Sequence, residues 1–132
     1  MWECNPAKFP MDPKENFGKD EGGKRVDVTE FKSMIGGLCY LVHTRPDIAY
    51  SVGIVSRYME KPTVIHQLAA KRILHYVMGT LNYGLLYVKG SGSELLIGYS
   101  NSDHVGQVDD RRSTRVMVFY LNEGFVTWAS QK

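Results

Sequence analysis

Residues 44–79 read TRPDIAYSVGIVSRYMEKPTVIHQLAAKRILHYVMG, and their spacing predicts two helices joined by one tight turn. Thr44 is placed to cap the first helix, with Pro46 tolerated in its opening turn and Asp47 three residues on to complete a capping box. Ile48, Val52, Val55 and Met59 then recur at the three-and-four spacing of one helical face. Pro62 forces a stop, Thr63 caps again, and Ala70, Ile73, Leu74 and Val77 repeat the apolar stripe. Gln67, Lys71, Arg72 and His75 fall toward its polar flank, and Gly79 is positioned as a C-terminal cap. The expected unit is a helical hairpin, apolar inside and basic outside.

Upstream, Asp27 and Glu30 have the spacing of a capping box, and Phe31, Ile35, Leu38 and Val42 mark a further helix to about His43. Gly36 and Gly37 fall inside it, each costing about 1 kcal/mol relative to Ala, which suggests a second backbone passing close by. Residues 1–26, with Pro6, Pro10 and Pro13 and glycines at 18, 22 and 23, read as an extended, unanchored arm. Downstream the period changes to two. Tyr83 to Val88 and Leu95 to Ser100 read as strands around a Gly/Ser loop, and residues 101–114 as a polar loop. Val116–Leu121 and Phe125–Ala129 flank Asn122-Glu123-Gly124 as a hairpin. The expected fold class is α+β: an arm over 1–26, three helices over 27–80, and an incomplete antiparallel sheet over 81–132.

The 132 residues are enough for one domain with a real core, and 43% hydrophobic with 23% charged residues is an ordinary globular balance. No stretch approaches the roughly 18 apolar residues of a membrane span, and the N-terminus lacks the build of a signal peptide. The expectation is an intracellular chain, cytoplasmic or nuclear, with no membrane partner. Cys4 and Cys39 are too few and too differently placed for a disulfide framework or zinc site and are read as reduced thiols. His43, His66 and His75 lie in three helical contexts without ligand spacing, and Tyr50, Tyr58 and Tyr76 read as core edge. The net charge of +2 identifies no partner; basic pairs at Lys24/Arg25, Lys71/Arg72 and Arg111/Arg112 carry more information.

The run FKSMIGGLCYLVHTRPDIAYSVGIVSRYMEKPTVIHQLAAKRILHYVMGTLNYGLLY, Phe31 to Tyr87, resembles the segment after the polymerase palm in the Pol polyprotein of copia-type (Ty1/copia) LTR retrotransposons. IGYSNSDHVGQVDDRRST, Ile97 to Thr114, is similar to that family's opening of the ribonuclease H domain, and VTWASQK to its third strand; CNPAKFPMDP resembles the passage out of the palm. The resemblance implies an arm leaving the palm, a helical thumb or connection region that grips the template-primer duplex, and the start of a ribonuclease H sheet, cut from something longer. Lys71, Arg72 and His75, with Arg57 and Lys61 nearby, suit that role, because a basic helix face tracks phosphates without reading bases.

Catalysis is not expected of this chain. Polymerase chemistry needs paired aspartates on a palm hairpin, and no Tyr-x-Asp-Asp sequence occurs; Asp109 and Asp110, before Arg111 and Arg112, read as a solvated turn. Ribonuclease H chemistry needs three or four carboxylates around two metal ions, and the position of the family's first aspartate is Asn101 here. A neutral amide does not replace the charge that offsets magnesium dehydration, and Asp103, two residues on, is only a weak substitute. His104, Val105-Gly106-Gln107 and Arg115-Val116-Met117 also depart from the family pattern. No cofactor is expected, although the intact family uses Mg²⁺. The expected partners are RNA–DNA hybrid or DNA duplex, bound without sequence preference. The alternative is a domesticated interaction module whose exposed sheet pairs with an intact Pol protein or a second copy. A helix-turn-helix regulator is disfavoured, since no helix rich in Arg, Asn and Gln appears.

Overall fold

The computed structural model describes residues 5–12, 17–18, 22–87, 95–102 and 114–131. Three α-helices, α1 (Val28–Leu41), α2 (Ala49–Val55) and α3 (Val64–Gly79), precede three strands, β1 (Leu96–Ser102), β2 (Arg115–Leu121) and β3 (Gly124–Gln131). The strands form one antiparallel sheet in the order β1-β2-β3. The α+β expectation is met.

Each helix begins where local chemistry favours it. Asp27 caps α1, its carboxylate accepting from the Glu30 amide at 2.7 Å. Phe31, Ile35 and Leu38 then point into the core. At α3 the capping box is Thr63 with His66, a residue that seldom fills the third position: the Thr63 amide donates to His66 Nδ1 at 3.1 Å. Nδ1 is therefore the acceptor, so Nε2 carries the proton and donates to the Gly18 carbonyl at 3.0 Å. The fully buried ring stacks on Tyr58 at 4.1 Å. The α3 stripe packs as its spacing predicts, with Ala70 and Ile73 fully buried and Leu74 and Val77 against the core.

The middle of the hairpin differs from expectation. Thr44 does not cap a following helix; its hydroxyl donates back to the Leu41 carbonyl at 3.2 Å, finishing α1. The chain then makes a 3₁₀ turn at Pro46–Ile48, a seven-residue α2 and a second 3₁₀ turn at Ser56–Tyr58. Asp47 is claimed by Arg45 rather than by a capping box. Although short, α2 is central: it contacts α1, α3 and β3, so Ser51 and Ile54 are buried along with Val52 and Val55. Among the described residues before α1, Phe17 is anchored: it enters the core and its carbonyl accepts from the Tyr58 hydroxyl at 2.8 Å.

Glycine placement corrects two further readings. A Cβ on Gly36 or Gly37 would meet nothing within 4 Å among the described residues; a close approach is instead found at Gly79, where a Cβ would lie 2.6 Å from Pro6 Cβ. Gly79 is the last residue of α3 and not a left-handed cap, since no described glycine has positive φ. Tyr83 to Tyr87, read as a strand from its alternation, pairs with no described strand. Tyr83 instead packs its ring 5.9 Å from the Arg45 guanidinium.

The sheet hairpin forms as its turn residues dictate. Asn122 takes φ 55°, a left-handed conformation asparagine tolerates, and its side chain accepts from the Leu95 amide at 2.9 Å while its own amide donates to the Leu95 carbonyl at 2.7 Å. Phe119, opposite Gly98 in the register, lays its ring over the space a side chain would take. The sheet is tied to the helices: Trp128 Nε1 donates to the Val42 carbonyl at 3.0 Å, and Ser130 meets α2 at Gly53.

The tightest polar cluster joins the start of α2 to the end of α3. Arg45, 6% exposed, donates from Nε and Nη2 to the two Asp47 oxygens at 2.9 and 2.7 Å. It also reaches the Thr80 carbonyl and hydroxyl at 3.0 and 2.6 Å, neutralising the exposed carbonyl end of α3. Tyr76 adds a hydrogen bond to Asp47 at 2.9 Å. Hydrogen bonding to Asp47, set against burial, holds the guanidinium above its usual range. Burial pushes the Asp47 carboxyl up, but the hydrogen bonds from Arg45 and Tyr76 and the nearby positive charge outweigh it, leaving it below 3.8.

A depressed folded-state pKa means the folded chain gains from the ionised carboxylate; that stability is present above about pH 4 and is lost as pH falls through the folded-state value. Chemical denaturation should therefore find Asp47→Asn weaker than wild type by roughly 1–3 kcal/mol at pH 7, a discounted figure because Asp47 remains a third exposed. The gap should close toward pH 3. Because no described residue faces Gly36 or Gly37, Gly36→Ala and Gly37→Ala should each stabilise the chain by about 0.5–1 kcal/mol in the same assay.

Candidate nucleic-acid interface

The outward stripe of α3 carries the basic residues, because Ala69, Ala70 and Ile73 turn the opposite side into the core. Lys71 is exposed; Arg72 and His75 are half-buried. Their partial cover comes from the N-terminal arm, which runs antiparallel to α3. Pro6 rests on Gly79, the Ala7 amide donates to the His75 carbonyl at 3.4 Å, and Arg72 Nε donates to the Phe9 carbonyl at 3.3 Å. The Arg72 guanidinium and the His75 backbone thus share their surface with residues 6–9.

Lys61 lies at the opposite end of α3, on the turn before Thr63, and is exposed. Two basic residues join it there. The Val64 amide donates to the Lys24 carbonyl at 3.0 Å, the Val26 amide to the Pro62 carbonyl at 3.3 Å, and Arg25 Nη1 to the Lys61 carbonyl at 2.8 Å. Lys24, Arg25 and Lys61 therefore gather at the N-terminal end of α3, roughly 13 Å along the helix from Arg72 at 1.5 Å per residue. The Lys24/Arg25 pair is visible as a charge cluster in the sequence. Its neighbourhood with Lys61 depends on a bridge between Arg25 and Thr63 that no local pattern announces.

Arg57 behaves differently. It sits in the 3₁₀ turn after α2, half-buried, with Nη2 donating to the Thr114 hydroxyl at 3.0 Å, and so engages the sheet. Its buried Nη1 has no hydrogen-bond partner among the described residues. Of the five residues assigned to phosphate contact, the structure groups Lys71, Arg72 and His75, sets Lys61 with Lys24 and Arg25, and turns Arg57 inward.

Asn101 lies on β1 opposite Val116 and is exposed. Asp103, His104, Asp109 and Asp110 lie outside the described residues. Among the described residues no group of three or more His, Cys, Asp or Glu is placed to hold a metal ion. Among them, too, no helix is long and apolar enough to cross a membrane. The groove beside Arg45, Asp47 and Tyr83, about 420 Å³, offers no free cation, because Arg45 is already matched to Asp47.

No protein-family model and no solved structure matches the chain. Its full length is 39% identical to the retrovirus-related Pol polyprotein from transposon RE1 of Arabidopsis thaliana and 37% identical to that from transposon RE2 of the same plant, in each case covering 9% of the relative. Over 103 residues, 77% of the chain, it is 43% identical to the secreted RxLR effector protein 161 of Plasmopara viticola, covering 72% of that protein. The chain thus spans about a tenth of the length of the Pol polyproteins it matches, and over that span it belongs to the copia-type retrotransposon Pol family.

Proposed function

We propose that this chain is the duplex-holding, thumb-like region of a copia-type reverse transcriptase, continuing into the start of a ribonuclease H-like sheet, and that it binds RNA–DNA hybrid or DNA duplex without reading sequence. The supporting observation is the charge arrangement of α3: Lys71, Arg72 and His75 on its outward stripe, and Lys24, Arg25 and Lys61 at its N-terminal end. Cations held on a rigid helix contact phosphates at fixed spacing and carry no base information. Catalytic silence is part of the proposal, because the exposed position on β1 that would anchor a metal ion is the neutral Asn101.

A titration by fluorescence anisotropy, with hybrid and DNA duplex at two salt concentrations, tests the binding. Three to five neutralised phosphates give a slope of log K against log salt of about −3 to −4. Lys61→Ala/Lys71→Ala, which removes two exposed charges and leaves the Arg72 tie to the arm intact, should flatten the slope by nearly two. No binding at low salt, or a slope unmoved by the double variant, sinks the reading. In the same mixtures with Mg²⁺ the RNA strand of the hybrid should remain whole; a nick abolished by Asp103→Ala would overturn the silent part.

A second reading is a protein-interaction module derived from the retroelement. It is favoured by the apolar residues the sheet leaves exposed, Leu96, Phe119 and Leu121, and by the match to a relative of comparable length named as a secreted effector. A defined dimer or complex in solution, together with no duplex binding, would select it.

A further inference from the structure

We propose that the N-terminal arm is the second wall of the duplex-binding surface: Lys8 adds a phosphate contact, and Phe9 offers a stacking platform to an unpaired base, so that the preferred ligand is a duplex with a single-stranded overhang. This rests on the duplex-binding reading of α3. The arm is seated at three points along one stretch of that helix, Pro6 on Gly79, Ala7 on His75 and Phe9 on Arg72. Lys8 lies between the last two, opposite the turn of α3 that bears Arg72 and His75.

A covering strap is the opposite possibility, and charge decides against it. A segment that competes with phosphate for a basic face gains by being acidic, yet within the stretch seated on α3, Pro6 to Phe9, the charged residue is Lys8, and Asp12 lies three residues past Phe9. The arm therefore adds a cation to those it lies beside. Nor does it hide the helix, since Lys71 remains exposed and Arg72 spends Nε, not its terminal nitrogens, on the Phe9 carbonyl. Phe9 is 53% exposed although it packs nowhere in the core, and Lys8 Nζ stands 5.5 Å from its ring centroid. A solvent-facing ring flanked by cations is the combination that single-strand binders use, because every base has a face to stack and its phosphate is near. Within a duplex each base is already stacked on its neighbours, so the ring acts only where the pairing ends.

Blunt and overhanging RNA–DNA hybrids, titrated with the whole chain, test this. Wild type should prefer the overhang by about fivefold or more, and Phe9→Ala should abolish the preference while leaving the blunt affinity unchanged. Lys8→Ala should flatten the salt slope on both ligands by about 0.9. Gly79→Ala, whose new methyl collides with Pro6, should speed tryptic cleavage after Lys8 and weaken binding as much as Lys8→Ala, with no charge removed. Binding by wild type that Lys8→Ala, Phe9→Ala and Gly79→Ala leave equal or tighter overturns the role of the arm and spares α3. Unchanged cleavage in Gly79→Ala overturns the seating itself. Failure of every protein to bind either ligand removes the duplex reading, and this inference with it.

Discussion

The helical half of this chain depends on Arg45. Its guanidinium is almost fully withdrawn from water, and desolvating an arginine is tolerable only when nearly all its donors are met. Asp47 takes two, Thr80 takes two more through its hydroxyl and carbonyl, and Tyr76 and Tyr83 lie against the guanidinium. These partners come from three places in sequence: the turn into α2, the last turns of α3, and the segment after it. A charge so placed does more than stabilise. Any repacking that slid α3 along α2 would strand the guanidinium without its acceptors, so the pair fixes the register of the two helices.

That register determines what the remainder can do. With α3 locked, Ala69, Ala70 and Ile73 must face inward, and Lys71, Arg72 and His75 are carried outward by the helical period alone. The same constraint explains why α2 is short yet central. Bounded by the Arg45 turn before it and Pro62 after it, it packs α1 and α3 on one side and leaves Gly53 for Ser130 of β3 on another. Trp128 then fastens the sheet to the end of α1, so the strands are joined to the helices and do not form a separate unit.

Much of this was legible in the sequence wherever a local rule and the tertiary environment agree. Asp27, Thr63 and the Asn122 hairpin turn are local devices, and each acts where its spacing predicts. The misreadings have a common cause. Thr44 with Asp47 satisfies a capping pattern, but the buried Arg45, two residues before Asp47, is a stronger claimant for the carboxylate than a backbone amide. Gly79 fits a C-cap pattern, but its missing side chain makes room for Pro6, seventy-three positions earlier. Tyr83 to Tyr87 alternates like a strand, yet alternation describes a strand only if an edge is available to pair with it. In each case something beyond the local window decides: Thr80 holds Arg45 from thirty-five positions later, Pro6 fills the space at Gly79, and no described strand meets Tyr83 to Tyr87. The candidate site divides in the same way: the stripe on α3 follows from periodicity, whereas the association of Lys24, Arg25 and Lys61, and the inward turn of Arg57, follow from contacts no window contains.

The division of labour between the two basic residue types bears on specificity. Arg25, Arg45, Arg57 and Arg72 each spend donors inside the chain, on Lys61, on Asp47 and Thr80, on Thr114 and on Phe9. Lys8, Lys24, Lys61 and Lys71 are exposed. Reading a base edge in the major groove favours a planar fork free to make two parallel hydrogen bonds, usually to guanine, and of these four arginines Arg45 has Nε and both terminal nitrogens engaged. What is left facing solvent is mostly ammonium, a compact point charge on a flexible stem that matches a phosphate in any sequence. Among the described residues the exposed cations are mainly lysines, with Arg25 and Arg115 beside them. Under the duplex-binding proposal, such a surface follows a duplex by its backbone and not by its bases.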